Sequence, residues 1–66
     1  MADQRLSAAE KASFWRAVAA SERSLSVQLR AHRDRDGSAL AAARAREAQA
    51  KATHYARQAR AERKTR

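Results

Sequence analysis

A single glycine, Gly37, and no proline stand among 66 residues, so almost nothing in this chain forbids helix. Alanine and arginine alone supply 31 of the 66 positions, and both are strong helix formers. Strands have little to build on. Val18 and Val27 are isolated, isoleucine is absent, and apolar and polar residues never alternate long enough to cover one face of a sheet. The expected fold class is all-α.

The chain is punctuated in two places. Ser7-Ala8-Ala9-Glu10 has the spacing of a capping box, with the Ser7 hydroxyl on the Glu10 amide and the Glu10 carboxylate on the Ser7 amide. The second place is Asp34-Arg35-Asp36-Gly37-Ser38, where Gly37 is expected to take the positive φ of a helix C-cap and Ser38 to cap the next helix. These signals predict a helix over about 7–34, a turn over about 35–37, and a helix over about 38–63 with a frayed basic C-terminus. At 1.5 Å per residue the two segments are matched rods of roughly 40 Å, suited to an antiparallel two-helix hairpin forming one domain over residues 1–66. One uninterrupted helix is the rival, because an interior glycine costs only about 1 kcal/mol.

In the second helix Ala41, Ala45, Ala48, Ala52, Tyr55 and Ala59 recur at steps of four and three, the spacing of a coiled-coil seam. None is charged and five are alanine, so this seam is predicted to let the helix backbones approach closely. The facing stripe of the first helix is expected at Phe14, Val18, Leu25 and Leu29, which fall within about 60° of one another, with Trp15 at its edge. A turn near Asp36 would set residue i opposite roughly residue 72 minus i. Trp15 and Tyr55 would then meet as an aromatic clasp at the open end.

Such a core is small. Besides alanine only ten apolar residues are present, and Leu, Val and Phe number seven, or 11% of the chain, where a charged sequence needs about 20% to escape disorder. A partner, or self-association into a four-helix bundle, is therefore expected. No cysteine is present to staple the fold. The longest apolar run, Ala39 to Ala43, has five residues where a membrane span needs about 20. The first residues show neither the apolar segment nor the cleavage pattern of a secretory signal, and the excess of Ala and Arg over Lys matches GC-rich coding. A cytoplasmic, bacterial setting is the expectation.

No nucleophilic, phosphate-loop or metal-binding motif occurs, so no catalytic residue, cofactor, metal ligand or small-molecule substrate is assigned. His32-Arg33-Asp34-Arg35-Asp36-Gly37 echoes the start of a calcium loop but lacks its first and twelfth ligands, and two arginines repel the ion. His32 and His54 do not converge in a hairpin.

Charge is the strong signal. Fifteen basic and seven acidic side chains give a net +8, more than solubility needs. Arg16, Arg23 and Arg30 repeat every seven residues and share one side of the first helix, while Arg57, Arg60, Arg63, Lys64 and Arg66 crowd the last ten positions. These eight residues are the candidate nucleic-acid-binding set. The expected function is a non-enzymatic basic helical protein that binds a polyanion, most simply a DNA or RNA backbone without strong sequence preference. A helical protein–protein or homo-oligomerisation module is the second expectation, and a peripheral membrane-surface helix the third.

Overall fold

A computed structural model of the chain describes residues 6–64. These residues form two helices, α1 (Ala8–Ala31) and α2 (Arg35–Lys64), packed against each other as an antiparallel hairpin. The molecule is a flat slab of 50 × 28 × 12 Å. The described residues contain no strand.

Helix α1 starts where the capping box predicts. The Ser7 amide donates to Glu10 Oε1 at 2.8 Å and the Glu10 amide to Ser7 Oγ at 3.1 Å. The bond from the Ser7 amide, helped by the Ser7 hydroxyl, holds the Glu10 carboxyl below the usual carboxylate range.

The turn departs from the expectation. It occupies residues 32–34, not 35–37, and Gly37 lies inside the first turn of α2 without positive φ. The left-handed residue is Arg33, with φ 62°. The Arg33 amide donates to the Arg30 carbonyl at 3.0 Å and the Asp34 amide to the Leu29 carbonyl at 2.8 Å, the paired bonds of a Schellman motif with Arg33 where glycine is usual. Asp34 then caps α2 in place of Ser38. Its Oδ1 accepts from the Gly37 amide at 2.9 Å, and its carbonyl accepts from the Ser38 amide at 3.0 Å. Glycine at 37 serves that cap by its lack of a side chain, since a Cβ there would sit 2.5 Å from Asp34 Oδ2.

Moving the turn shifts the register. Residue i faces about residue 66 minus i, as Glu22 with Arg44, Trp15 with Lys51 and Lys11 with Tyr55 demonstrate. Trp15 therefore packs edge-on to Phe14 and under Lys51, while Tyr55 pairs with His54 and Lys11, and the expected Trp15–Tyr55 clasp is replaced by two separate clusters. Helix α2 continues through Lys64, one residue past the expected end.

The α2 seam is as expected in its main part: Ala41, Ala45, Ala48 and Ala52 are buried and Ser38 joins them, while Tyr55 and Ala59 are half-buried. The α1 face is not the expected one. Its buried residues are Ala8, Ala12, Ala19 and Ser26, a stripe of small side chains lying about 100° around the helix from Phe14, Val18, Leu25 and Leu29. Phe14 is 53% exposed and Leu25 37%, whereas Val18, Leu29 and Trp15 flank the seam half-buried. Close approach of the backbones explains the rotation. Opposite a row of alanines, a large side chain on the line of contact would hold the helices apart, so small residues meet there and large ones cover the edge.

Near the turn the approach is close enough for side chains to bond the opposite main chain. Buried Ser26 Oγ donates to the Ser38 carbonyl at 2.9 Å, and buried Ser38 Oγ donates to the Ser26 carbonyl at 3.0 Å. Each hydroxyl has one proton, so the 3.1 Å approach of the two oxygens is an alternative to these bonds and not a third one. This reciprocal latch satisfies both hydroxyls in an otherwise alanine-lined interface.

Candidate functional site

The seam's sevenfold repeat sorts the charged residues. Arg16, Arg23 and Arg30 each come four positions after a small seam residue, Ala12, Ala19 or Ser26, and so line the same edge of α1. On α2 the matching edge carries Arg46, Arg57 and Arg60. Between these edges runs a groove floored mainly by alanine.

From the turn outwards the groove is a chain of open concavities. At the tip Arg30, Arg33 and Arg35 surround Ser38, Ala39 and Ala42. Ala42 is shared with the next, where Arg23 and Arg46 stand over Ser26, Val27, Ala45 and Gln49. Gln49 leads to the third, lined by Arg16, Arg57 and Arg60 above Ala52, Thr53 and Ala56. Arg16 and Arg60 also border the last, joined by Arg63 over Ala9, Ala12, Ser13 and Ala59. Nine arginines thus border one groove, and no carboxylate lines it.

Three acidic side chains are engaged elsewhere. Glu22 pairs with Arg44 at 3.1 Å across the opposite flank, Glu10 closes the α1 cap, and Asp34 caps α2. That opposite flank also holds all three aromatic residues. Phe14 and Trp15 meet edge-on at 5.1 Å, Lys51 lies 4.3 Å from the Trp15 ring centre, and Lys11 lies 5.2 Å from that of Tyr55. Such exposed cation–π contacts contribute roughly 0.5–1 kcal/mol each, and the half-exposed ion pair no more.

Like charges gathered without counter-charges raise the energy of the folded state. The arrangement is relieved when an anion enters the groove, and guanidinium groups suit one in particular. Their planar forks give two parallel N–H donors to a phosphate, and they stay charged at any physiological pH.

Of the eight residues expected to bind, Arg16, Arg23, Arg30, Arg57, Arg60 and Arg63 come together on this groove. Lys64 is exposed at the end of α2 and lines none of the concavities, and Arg66 lies outside the described residues. Three further arginines join them. Arg33 and Arg35 are hidden from a sequence reading that puts the turn at 35–37, and Arg46 is signalled only by its place after Ala45, a seam residue. His32 caps the end of α1 and His54 stands against Tyr55 at 5.0 Å on α2. Among the described residues no group of three or more His, Cys, Asp or Glu could hold a metal, and no helix is long and apolar enough to cross a membrane. No family model matches the chain, and neither a curated protein nor a solved structure matches it.

Proposed function

We propose that this chain binds the sugar–phosphate backbone of a nucleic acid along the arginine groove, without reading base sequence. The observation that carries this is the segregation of nine arginines onto one groove with no carboxylate among them. Two features support backbone contact over base recognition. Most of the floor is alanine methyl groups, which offer base edges no donors or acceptors, beside Ser13, Gln49 and Thr53, and Phe14, Trp15 and Tyr55 cluster with the lysines of the other flank, away from any base that could stack on them. The guanidinium groups act here by charge and by donated hydrogen bonds, since they neither give up nor take a proton at neutral pH. Salt titration tests it. With about six phosphates engaged, log K should fall with log salt at a slope of roughly −5 on two duplexes of unrelated sequence. A slope near zero, or a strong preference for one duplex, contradicts the reading.

A second reading, self-association into a four-helix bundle, is favoured by one observation. Phe14, at 53% exposure, and Leu25 stand beside Trp15, Val18 and Leu29 on the flank opposite the groove, where charges of both signs, Lys11, Arg44 and Lys51 with Glu22, do not repel a second copy as the groove would. The two readings are compatible, since pairing through that flank leaves both grooves facing outwards.

A further inference from the structure

We infer that the tip of the hairpin is a discrete oxyanion site, in which Arg30, Arg33 and Arg35 hold one phosphate group of the polyanion lying in the groove. This rests on the backbone-binding reading and names its strongest contact point. The three arginines come from three different parts of the fold: the last turn of α1, the connecting turn, and the first residue of α2. They converge on an open concavity of about 620 Å³, ample for a phosphate with its flanking sugars, and no carboxylate lines it. Two aspartates are close in sequence. Asp34 has its carboxylate turned onto the Gly37 amide at 2.9 Å, and Asp36 lies outside the lining.

The backbone supplies an independent observation. Arg33 adopts φ 62° at the position of the Schellman motif where glycine is the usual residue, and an L side chain is disfavoured in that region. The only glycine of the chain is spent four residues later, at Gly37. Strain at a non-glycine position is expected where the side chain is kept for what it contacts, and here it delivers a third guanidinium to the tip. The competing role is purely structural: basic side chains near the end of a helix stabilise its exposed carbonyls. The two roles predict opposite consequences for one substitution.

The test is Arg33→Gly in the full chain. Relief of the left-handed strain should raise the thermal midpoint by a few degrees, while affinity for a 20-base-pair duplex at about 100 mM salt should fall about tenfold. Arg44→Ala removes the same charge from the opposite flank and should change duplex affinity less than about twofold. Arg30→Gln, at a helical position without strain, should repeat the affinity loss. With inorganic phosphate as the probe, the amide resonances of Arg33, Arg35 and Ser38 should shift in the wild type and not in Arg33→Gly. A lower thermal midpoint for Arg33→Gly would show the side chain to be structural and overturn the site. Equal affinities for Arg33→Gly and Arg44→Ala would also overturn it while leaving the groove intact. Phosphate shifts without any loss of duplex affinity would detach the tip from the groove and refute the inference. A wild type that fails to bind duplex in a salt-dependent way would bring down the groove reading itself.

Discussion

The two flanks of the helix seam are made from the same two helices and differ in almost everything else. One is a groove with an alanine floor and nine arginines along its walls. The other carries the three aromatic residues, three half-buried or exposed aliphatic ones, and cations paired with rings or with Glu22. An alanine seam separates the two edges of a helical hairpin. By excluding large side chains from the line of contact it forces them to the edges, and the aromatic residues collect on one edge, while Val27 borders the other. The other edge is left shallow and walled by long basic side chains. Stability and charge are thereby assigned to opposite sides, so a polyanion could occupy the groove without disturbing the apolar residues.

The largest effect is expected from enlarging the seam itself. Ala19 is fully buried between the helices, and Ala19→Leu should push them apart, costing about 3 kcal/mol and abolishing both flanks together. The matched control Ala20→Leu, on the exposed side of α1, should leave the melt within about 0.5 kcal/mol of wild type. Equal effects of the two by circular dichroism would contradict a close-packed seam.

A smaller effect is expected at the latch. Ser26→Ala leaves the bond from Ser38 Oγ to the residue-26 carbonyl in place, so each single substitution should cost about 1 kcal/mol and Ser26→Ala with Ser38→Ala about the sum. A double variant less destabilised than the sum would show that the hydroxyls bond each other instead of the opposite carbonyls.

The flanks themselves should respond separately. Phe14→Ala, on an exposed side chain, should change the stability of dilute protein by less than about 1 kcal/mol and leave duplex binding unaltered. It should, however, reduce the dependence of the melt on protein concentration. Any loss of nucleic-acid affinity in this variant would erase the distinction between the flanks.

The smallest effect lies at the start of α1. The Glu10 carboxyl is held below its ordinary value of 4.5 because its charged form accepts from the Ser7 amide. A depressed folded-state value contributes stability that is present above the unfolded value and is lost as the pH falls through the folded one. Helix content should therefore decline below about pH 4.5, and Glu10→Gln, which still accepts from the Ser7 amide but cannot titrate, should flatten that decline. An unchanged acid limb in Glu10→Gln would show that the capping box is not the origin.

How much of this is legible in the sequence differs between the helices. The capping box and the α2 seam can be read because each is a local spacing of residue types, Ser7 to Glu10 and Ala41 to Ala52, that one helix satisfies on its own. The face of α1 cannot be read from hydrophobicity. Its largest apolar residues define the strongest stripe, but which face is buried depends on the partner, and opposite an alanine seam the small residues win. The sevenfold recurrence of Ala12, Ala19 and Ser26 is the signal available, and it matches the seam of α2. The turn escapes because Gly37 matches the commonest use of glycine, the left-handed end of a helix. Arg33 bears the left-handed backbone instead, and that moves the register by about six residues and conceals Arg33 and Arg35 from the candidate site. Most of the arginine groove is still within reach, since the repeat of Arg16, Arg23 and Arg30 tracks the helix period whatever the register.

Under the proposed function, placement and not total charge makes the binding surface. The most direct measurement compares two triple variants that each remove three positive charges: Arg16→Gln, Arg23→Gln and Arg60→Gln on the groove, and Lys11→Gln, Arg44→Gln and Lys51→Gln on the opposite flank. Duplex affinity is measured across a salt series for both. The groove variant should lose between two and three units of the salt slope and about a hundredfold or more in affinity at low salt, while the other keeps a slope close to that of the wild type. Equal losses in the two variants would show that the protein binds by net charge alone, and would contradict the account.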